Sequence, residues 1–404
     1  MSDPKNPWNR PSKAKGPKGG KPKWPAALFG LIAVAIIIMV AAPFLDEFGE
    51  PGPGSLGREF VIVSGSENKS LEPIVQRFCA DQRVMCTMRY QGSLDIGMAV
   101  EAGTDEIDAV WPANGIWIDL FDRARRVKHL ASISQSPVIL GVRRSKADQL
   151  GWVDQPVSMD DIVAAVKRGD LRFLMTSATQ SNSGAGAYLA MLSSVVAGDQ
   201  ALTMDQLLSD QTQDKVRSLL RGVARSSGSS GWLRDLFLKA DAEGVTYDAM
   251  WNYEAILAEA NRSLRTRNSE QLYAIYPTDG VAMADSPLGF VDRGQPPGFE
   301  EFFLALQQHL LSEPVQNKLV AADRRVALGR ASMEGTSDPS WNYDPTRFVT
   351  TIRMPGPDVV REALTLAAAT TILSLFCTNT ASIFSRARLV QHAVIEGVRA
   401  QLLR

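Results

Sequence analysis

Residues 60–70 read Phe-Val-Ile-Val-Ser-Gly-Ser-Glu-Asn-Lys-Ser (FVIVSGSENKS), and the reading of this stretch decides the fold. Phe60 to Val63 is a short apolar run, the length and composition of a buried strand. It breaks at Ser64-Gly65-Ser66. Beyond the break, Leu71, Ile74, Val75 and Phe78 fall at i, i+3, i+4 and i+7, one face of a helix. A strand that feeds a helix through a tight hydroxyl-rich turn is one unit of an α/β sheet.

The unit repeats. Met85 to Tyr90 reads as a strand that breaks at Gln91-Gly92-Ser93, and Leu94 to Ala102 as a helix; Ile107 to Trp111 is a third strand. A second block follows, with strands at Val138–Val142 and Phe173–Thr176 and helices at Met159–Lys167, Ala185–Val196, Trp232–Ala240 and Tyr247–Ala260. Leu272 to Tyr276 is a strand placed to return the chain to the first block, before helices at Phe299–Leu311 and Val315–Ala322. Alternating strands and helices predict mostly parallel sheets covered on both faces. Two such blocks predict two lobes, crossed near Ser132–Ser136 and Leu272–Asp279.

Upstream, residues 24–45 contain no charged side chain, and Leu31 to Ala42 is wholly apolar. About 20 such residues span a hydrocarbon core of roughly 30 Å. Seven Lys or Arg and one Asp precede the span; Asp46, Glu47 and Glu50 follow it. Positive residues stay on the cytoplasmic side, so the main domain is expected outside the cell membrane on a single uncleaved span. A cleaved signal peptide would have a shorter apolar region and a small-residue cleavage site. Of the 43 basic and 44 acidic side chains of the 404-residue chain, 36 and 43 lie beyond residue 24. That acidic balance argues against a nucleic-acid partner. The predicted organisation is a basic cytoplasmic tail at 1–24, a transmembrane helix at 25–45 and a linker at 46–57. A first lobe takes 58–135 plus 275–330, a second lobe 136–274, and an extension 331–404.

Cys79 and Cys86 stand seven positions apart, at a helix end and a strand start; outside the cytoplasm they can bridge, and a bridge and two buried thiols both remain open. His129, His309 and His392 are too dispersed for a zinc site with any Cys, so no metal and no cofactor is expected.

Three loops follow strands, precede helices and carry hydroxyls and glycine: Ser64 to Asn68 with Ser66 and Glu67, Gln91-Gly92-Ser93, and Thr179 to Gly184 with Ser181 and Ser183. Free N–H groups at a helix start attract an anion without any Lys or Arg. One such loop alone is explained by helix capping; three, at strand ends in two lobes, point to a binding crevice. Trp251-Asn252-Tyr253-Glu254, read as helix, offers Asn252 and Tyr253 as further candidates. Asp279 suits a turn as well as a ligand contact. A serine hydrolase would need a base beside its nucleophile, but there is no G-x-S-x-G and no histidine is suitably placed. No catalytic residue is assigned, and the chain is not expected to be an enzyme.

At these residues the chain resembles the type II bacterial extracellular solute-binding proteins, of the molybdate- and phosphate-binding kind. It is most similar to the branch followed by a von Willebrand factor type A domain. The resemblance rests on Ile62–Ser70, Asp108–Asn114 (DAVWPAN), Ser136–Val142, Met175–Gly184, Trp251–Glu254, Ala274–Gly280 and Ala284–Gly289, and covers residues 58 to about 330. It implies an α/β, two-lobe periplasmic-binding-protein-like fold with mixed parallel sheets. It also implies Ser66, Ser93 and Ser183 as ligand donors, with Asn252 and Tyr253 weaker. Met354–Leu366 resembles the lead into the type A domain, yet the D-x-S-x-S metal signature is missing and that domain looks truncated. Ala363–Phe384 is uncharged but too rich in Thr and Ser for a good second span. The expected function is therefore membrane-anchored, extracytoplasmic capture of a small ligand, an oxyanion being favoured at helix starts, with a membrane-protein partner in prospect. The alternative is a non-catalytic interaction scaffold or sensor module with a degenerate cleft.

Overall fold

The computed structural model describes residues 56–103, 106–196, 200–327 and 329–376. The predicted basic tail, the membrane helix at 25–45 and residues 377–404 lie outside them. Among the described residues no helix is long and apolar enough to cross a membrane.

With strands numbered in chain order, the first sheet runs β2 (Cys86–Gln91), β1 (Phe60–Gly65), β3 (Ala109–Trp111), β11 (Pro287–Val291), β4 (Val127–Ser132). β1 is parallel to β2 and β3, whereas β11 is antiparallel to β3 and β4. The run FVIV is apolar throughout because both faces of β1 are covered. Phe60 and Ile62 join a cluster with Phe299, Phe303 and Leu306, while Val61 and Val63 pack with Ile96, Val100 and Val110.

The second sheet runs β10 (Met283–Ala284), β5 (Ser136–Arg143), β8 (Ala249–Tyr253), β6 (Phe173–Leu174), β7 (Val223–Arg225), with β9 (Leu272–Ile275) also on β5. β5 pairs antiparallel with β8, β9 and β10, and β6 pairs parallel with β7 and β8, so the sheets are mixed. The chain passes from the first sheet to the second between β4 and β5. β9 pairs Leu272 to Ile275 with Arg143 to Leu140, and the chain re-enters the first sheet only at Pro287. An apolar run such as LYAI carries no mark of which sheet will pair with it.

Tyr247–Ala260 is corrected from one helix to a strand followed by a helix at Glu254–Thr266. Ala249, Trp251 and Tyr253 enter one core cluster and Met250 the opposite one, the period of two of a strand buried on both faces. Strands β4 and β7 and the helices Met204–Leu208 and Asp210–Leu220 had no counterpart in the sequence reading.

Where local signals are strong, the element follows them. The helix Met159–Arg168 starts in a capping box: Ser158 Oγ accepts from the Asp161 amide (3.2 Å) and the Asp161 carboxylate accepts from the Ser158 amide (2.8 Å). It ends at Gly169, whose φ of 79° suits the left-handed cap. Cys79 and Cys86 are joined by a disulfide between the end of the helix Glu72–Asp81 and the first residue of β2.

The described part of the extension is built onto the second sheet. Trp341 and Tyr343 stack at 4.5 Å in the cluster of Ile139 and Met250. In the helix Pro357–Phe376, Val360, Ala363, Leu364, Leu366 and Ala367 join the opposite cluster, with Met191 and Leu192.

Candidate functional site

Loops at the carboxyl ends of strands from both sheets meet at one crevice. From the first lobe, β1 ends at Gly65 and turns into a single 3-10 segment, Ser66–Leu71. Ser66 Oγ is hydrogen-bonded to Ser229 Oγ of the second lobe and accepts from the Gly231 amide at 2.9 Å. Ser229 is the N-cap of the helix Ser230–Ala242. Gly231 is required by this approach, because a Cβ there would lie 2.9 Å from Ser66 O.

From the second lobe, Ser181 stands at the N-cap position of the helix Asn182–Ser193. Ser183 Oγ bonds Thr176 Oγ1 and Ser230 Oγ, each at 2.8 Å, and Ser181 Oγ bonds Ser230 Oγ at 3.3 Å. Ser66, Ser181, Ser183, Ser229 and Ser230 are all buried. Hydroxyls in this closed arrangement satisfy one another, as buried polar groups must.

Two further contacts cross between the lobes. The Leu94 amide donates to Gln180 O at 3.3 Å. Trp117 Nε1 donates to Asn182 Oδ1 at 2.8 Å, and Asn182 Nδ2 donates to the Tyr253 hydroxyl at 3.0 Å.

Beside these contacts lies a cavity of about 20 Å³, lined by Glu67, Asn68, Ala113, Ser134–Ser136 and Tyr253, and by Ala284, Ser286 and Arg324. That volume admits about one water-sized molecule. Burial pushes the Glu67 carboxyl up to about 7; its own backbone amide and Arg324 pull the other way, and Glu259 adds to the rise. Burial, with the Glu67 charge second, holds the Tyr253 hydroxyl well above the ordinary tyrosine value. Arg324 Nη2 donates to Glu67 O (2.6 Å), Ser70 Oγ (3.2 Å) and Glu259 Oε1 (3.1 Å), so one guanidinium reaches from the first lobe to the helix Glu254–Thr266 of the second.

The sequence candidates therefore divide by place. Glu67, Asn68 and Tyr253 line the cavity. Ser66, Ser181 and Ser183 form the hydroxyl contact between and beside the lobes. Ser64, Ser93, Gly184 and Asn252 sit behind it. Ser64 Oγ accepts from Asn68 Nδ2 (3.2 Å), and Ser93 Oγ accepts from the Ala113 amide (3.0 Å). Asn252 Nδ2 donates to Ser230 O (3.0 Å). Gly184 packs against the Thr176 carbonyl, 2.3 Å from where a Cβ would stand. Gly92 lets the Gln180 carbonyl approach, 2.0 Å from where its Cβ would be.

Sequence reasoning missed Ser229, Ser230, Ser134–Ser136, Ser286 and Arg324. Ser226-Ser227-Gly228-Ser229-Ser230-Gly231 had the same hydroxyl-and-glycine signature as the other loops. It went unread because the short strand before it, β7, was not recognised. The Asp279 carboxylate accepts from the Met159 amide at the start of the helix Met159–Arg168.

A profile of the bacterial extracellular solute-binding protein matches residues 60–322. No curated protein matches the chain. Among solved structures, the periplasmic binding protein AfuA from Actinobacillus pleuropneumoniae, with fructose-6-phosphate bound, aligns with a TM-score of 0.54 at 12% identity, covering 76% of this chain and 96% of that one. A ferric binding protein from Campylobacter jejuni gives 0.53 at 11%, covering 78% and 99%. The sulfate-binding protein SubI from Mycobacterium tuberculosis H37Rv gives 0.50 at 17%, covering 68% and 88%. At such identities the likeness is one of fold: two α/β lobes with mixed sheets.

Proposed function

Because this chain belongs to the bacterial extracellular solute-binding proteins, we propose that it captures a small solute between its two lobes, without covalent chemistry, and holds it extracytoplasmically on an amino-terminal membrane anchor. The observation that carries the reading is the meeting of Ser66 Oγ with Ser229 and the Gly231 amide from the opposite lobe. Hydroxyls and amides that pair with each other across a shut crevice are the groups that an entering solute would engage when it parts them. The helix starts at Asn182 and Ser230 add partial positive charge there, which favours an anionic group on the solute. The lobes would close by hinge motion, ligand contacts favouring the closed state. The anchor rests on the uncharged stretch 24–45 with its basic flank. Permanent tethering suits a local receptor or a partner of a membrane complex better than a diffusing shuttle.

The test is thermal stabilisation by one compound from a panel of oxyanions and small metabolites, lost in the double variant Ser66→Ala, Ser183→Ala. If nothing stabilises the protein and crosslinking instead recovers one protein partner, the interaction-scaffold reading replaces this one. Labelling of a serine by a fluorophosphonate probe would instead establish a hydrolase. A reporter that is active only outside the cytoplasm, fused after Leu56, reads the anchor: loss of its signal would reverse the topology.

A further inference from the structure

Two buried side chains that line the cavity keep unpartnered atoms of opposite kind. Glu67 Oε1 and Arg324 Nε have no hydrogen-bond partner among the described residues, and the two residues are 7% and 3% exposed. An ionised carboxylate can only accept, and a guanidinium can only donate. Both groups are expensive to leave unmatched at such depth.

The charges around Glu67 decide what can match it. Arg324 and Glu259 act on its carboxyl, and its charge acts on the Tyr253 hydroxyl. Arg234 pairs with Glu259 in turn. Arg234 also pairs with Asp235, and Arg262, paired with Asp323, interacts with both Glu259 and Arg324, so charges of both signs stand behind the cavity. A bare oxyanion entering here would meet Arg324 and the hydroxyls well, but would face the Glu67 carboxylate as a like charge. A lone cation would have the reverse difficulty with Arg324. Granted that the crevice is the solute site, we propose that it selects a net-neutral solute bearing a cationic hydrogen-bond donor beside an anionic group, with the Glu67 carboxylate holding the cation and Arg324 and the serine loops holding the anion. The present cavity has room for about a water molecule, so such a solute enters as the Ser66–Ser229 contact separates.

The proposal fixes the sign of a proton linkage. A cationic group needs Glu67 ionised, so binding releases a proton and affinity falls as pH drops below about 7. Anion capture alone has the opposite sign: a proton is taken up, and affinity falls as pH rises through the same range.

The experiment compares taurine, β-alanine and glycine, which are net-neutral zwitterions near pH 6.5, with sulfate, phosphate, molybdate and acetate. Thermal shift comes first, then calorimetry of any binder near pH 6.5 in two buffers of different ionisation enthalpy. The expected result is that at least one ammonium-bearing compound binds with proton release. Glu67→Gln should weaken it tenfold or more and abolish the release, and Glu67→Asp, which keeps the charge, should retain the release. If only the inorganic oxyanions or acetate bind, or binding takes up a proton, or Glu67→Gln binds as well as the parent, the selectivity proposed here is wrong while the solute site stands. Stabilisation by no compound in either set overturns both.

Discussion

At the scale of single residues, this protein puts ionised groups where solvent cannot help them, and each makes a different demand. Glu254 is fully buried and gripped by Arg325 through Nε (2.6 Å) and Nη2 (2.7 Å), with the Tyr276 hydroxyl as a third partner. Removing one partner strands the other charge, so Arg325→Ala should lower unfolding stability by about 3–5 kcal/mol, read as a shift of the urea midpoint at constant slope. A change under 1 kcal/mol would show that water reaches Glu254. Glu67 is the opposite case, a carboxyl whose folded value is raised from 4.5 to about 7. An acid raised on folding binds its proton more tightly in the native state. Stability is therefore highest below the unfolded value and falls as pH climbs through the window from about 4.5 to about 7. The loss amounts to about 3 kcal/mol by linkage. Glu67→Gln should remove that slope, giving a variant more stable than the parent at pH 8 and near parity at pH 5. Identical pH profiles for the two proteins would refute the burial account of this residue.

At the scale of elements, the disulfide is the clearest link between sequence and placement. It closes a short loop between the helix Glu72–Asp81 and β2. Loop-closure entropy for so short a loop is about 2–3 kcal/mol. A Cys79→Ser, Cys86→Ser variant should lose stability of that order, and intact-mass analysis of the unreduced parent should show two hydrogens fewer than the reduced form. Elements were legible where they carried their own punctuation. FVIV before Ser-Gly-Ser, the capped helix at 159–168 and the long amphipathic helix Pro297–Leu311 all announce both period and ends. The rest was hidden for physical reasons. β7 is a three-residue strand, too short to have a period, and it leads into the Ser226–Gly231 loop that meets Ser66 of the first lobe. β8 is buried on both faces and turns apolar side chains toward each, with Asn252 the polar residue among them, so it shows no apolar–polar alternation to mark it as a strand. Arg324 could not be found at all from spacing. It lies 257 residues from Glu67, whose carbonyl it reaches, and only the returning helices of the first lobe bring them together.

At the scale of the whole molecule, the question is what keeps the lobes shut and what would keep them apart. The closing contacts named above are mostly polar: Ser66 with Ser229 and Gly231, Leu94 with Gln180, Trp117 with Asn182, Arg324 with Glu259. Each such bond contributes only about 0.5–1.5 kcal/mol net, with those to charged groups somewhat stronger. Leu94, Ala113, Trp117 and Leu120 of the first lobe also join the second lobe's core cluster, so apolar burial adds to these bonds in holding the lobes shut. Gly92 offers a way to test this without altering the cavity lining. Its φ of −69° and ψ of 149° are open to any residue, so no strain attends a side chain there. What an added methyl meets is the opposite lobe: Gln180 O at 2.0 Å and Gly228 O at 3.0 Å, both backbone atoms with no rotamer to turn aside. Gly92→Ala should therefore fold with unchanged circular dichroism yet fail to close. Small-angle scattering should give a larger radius of gyration than the parent. If the variant scatters as the parent does, the lobes close by a path that does not bring Gly92 against Gln180.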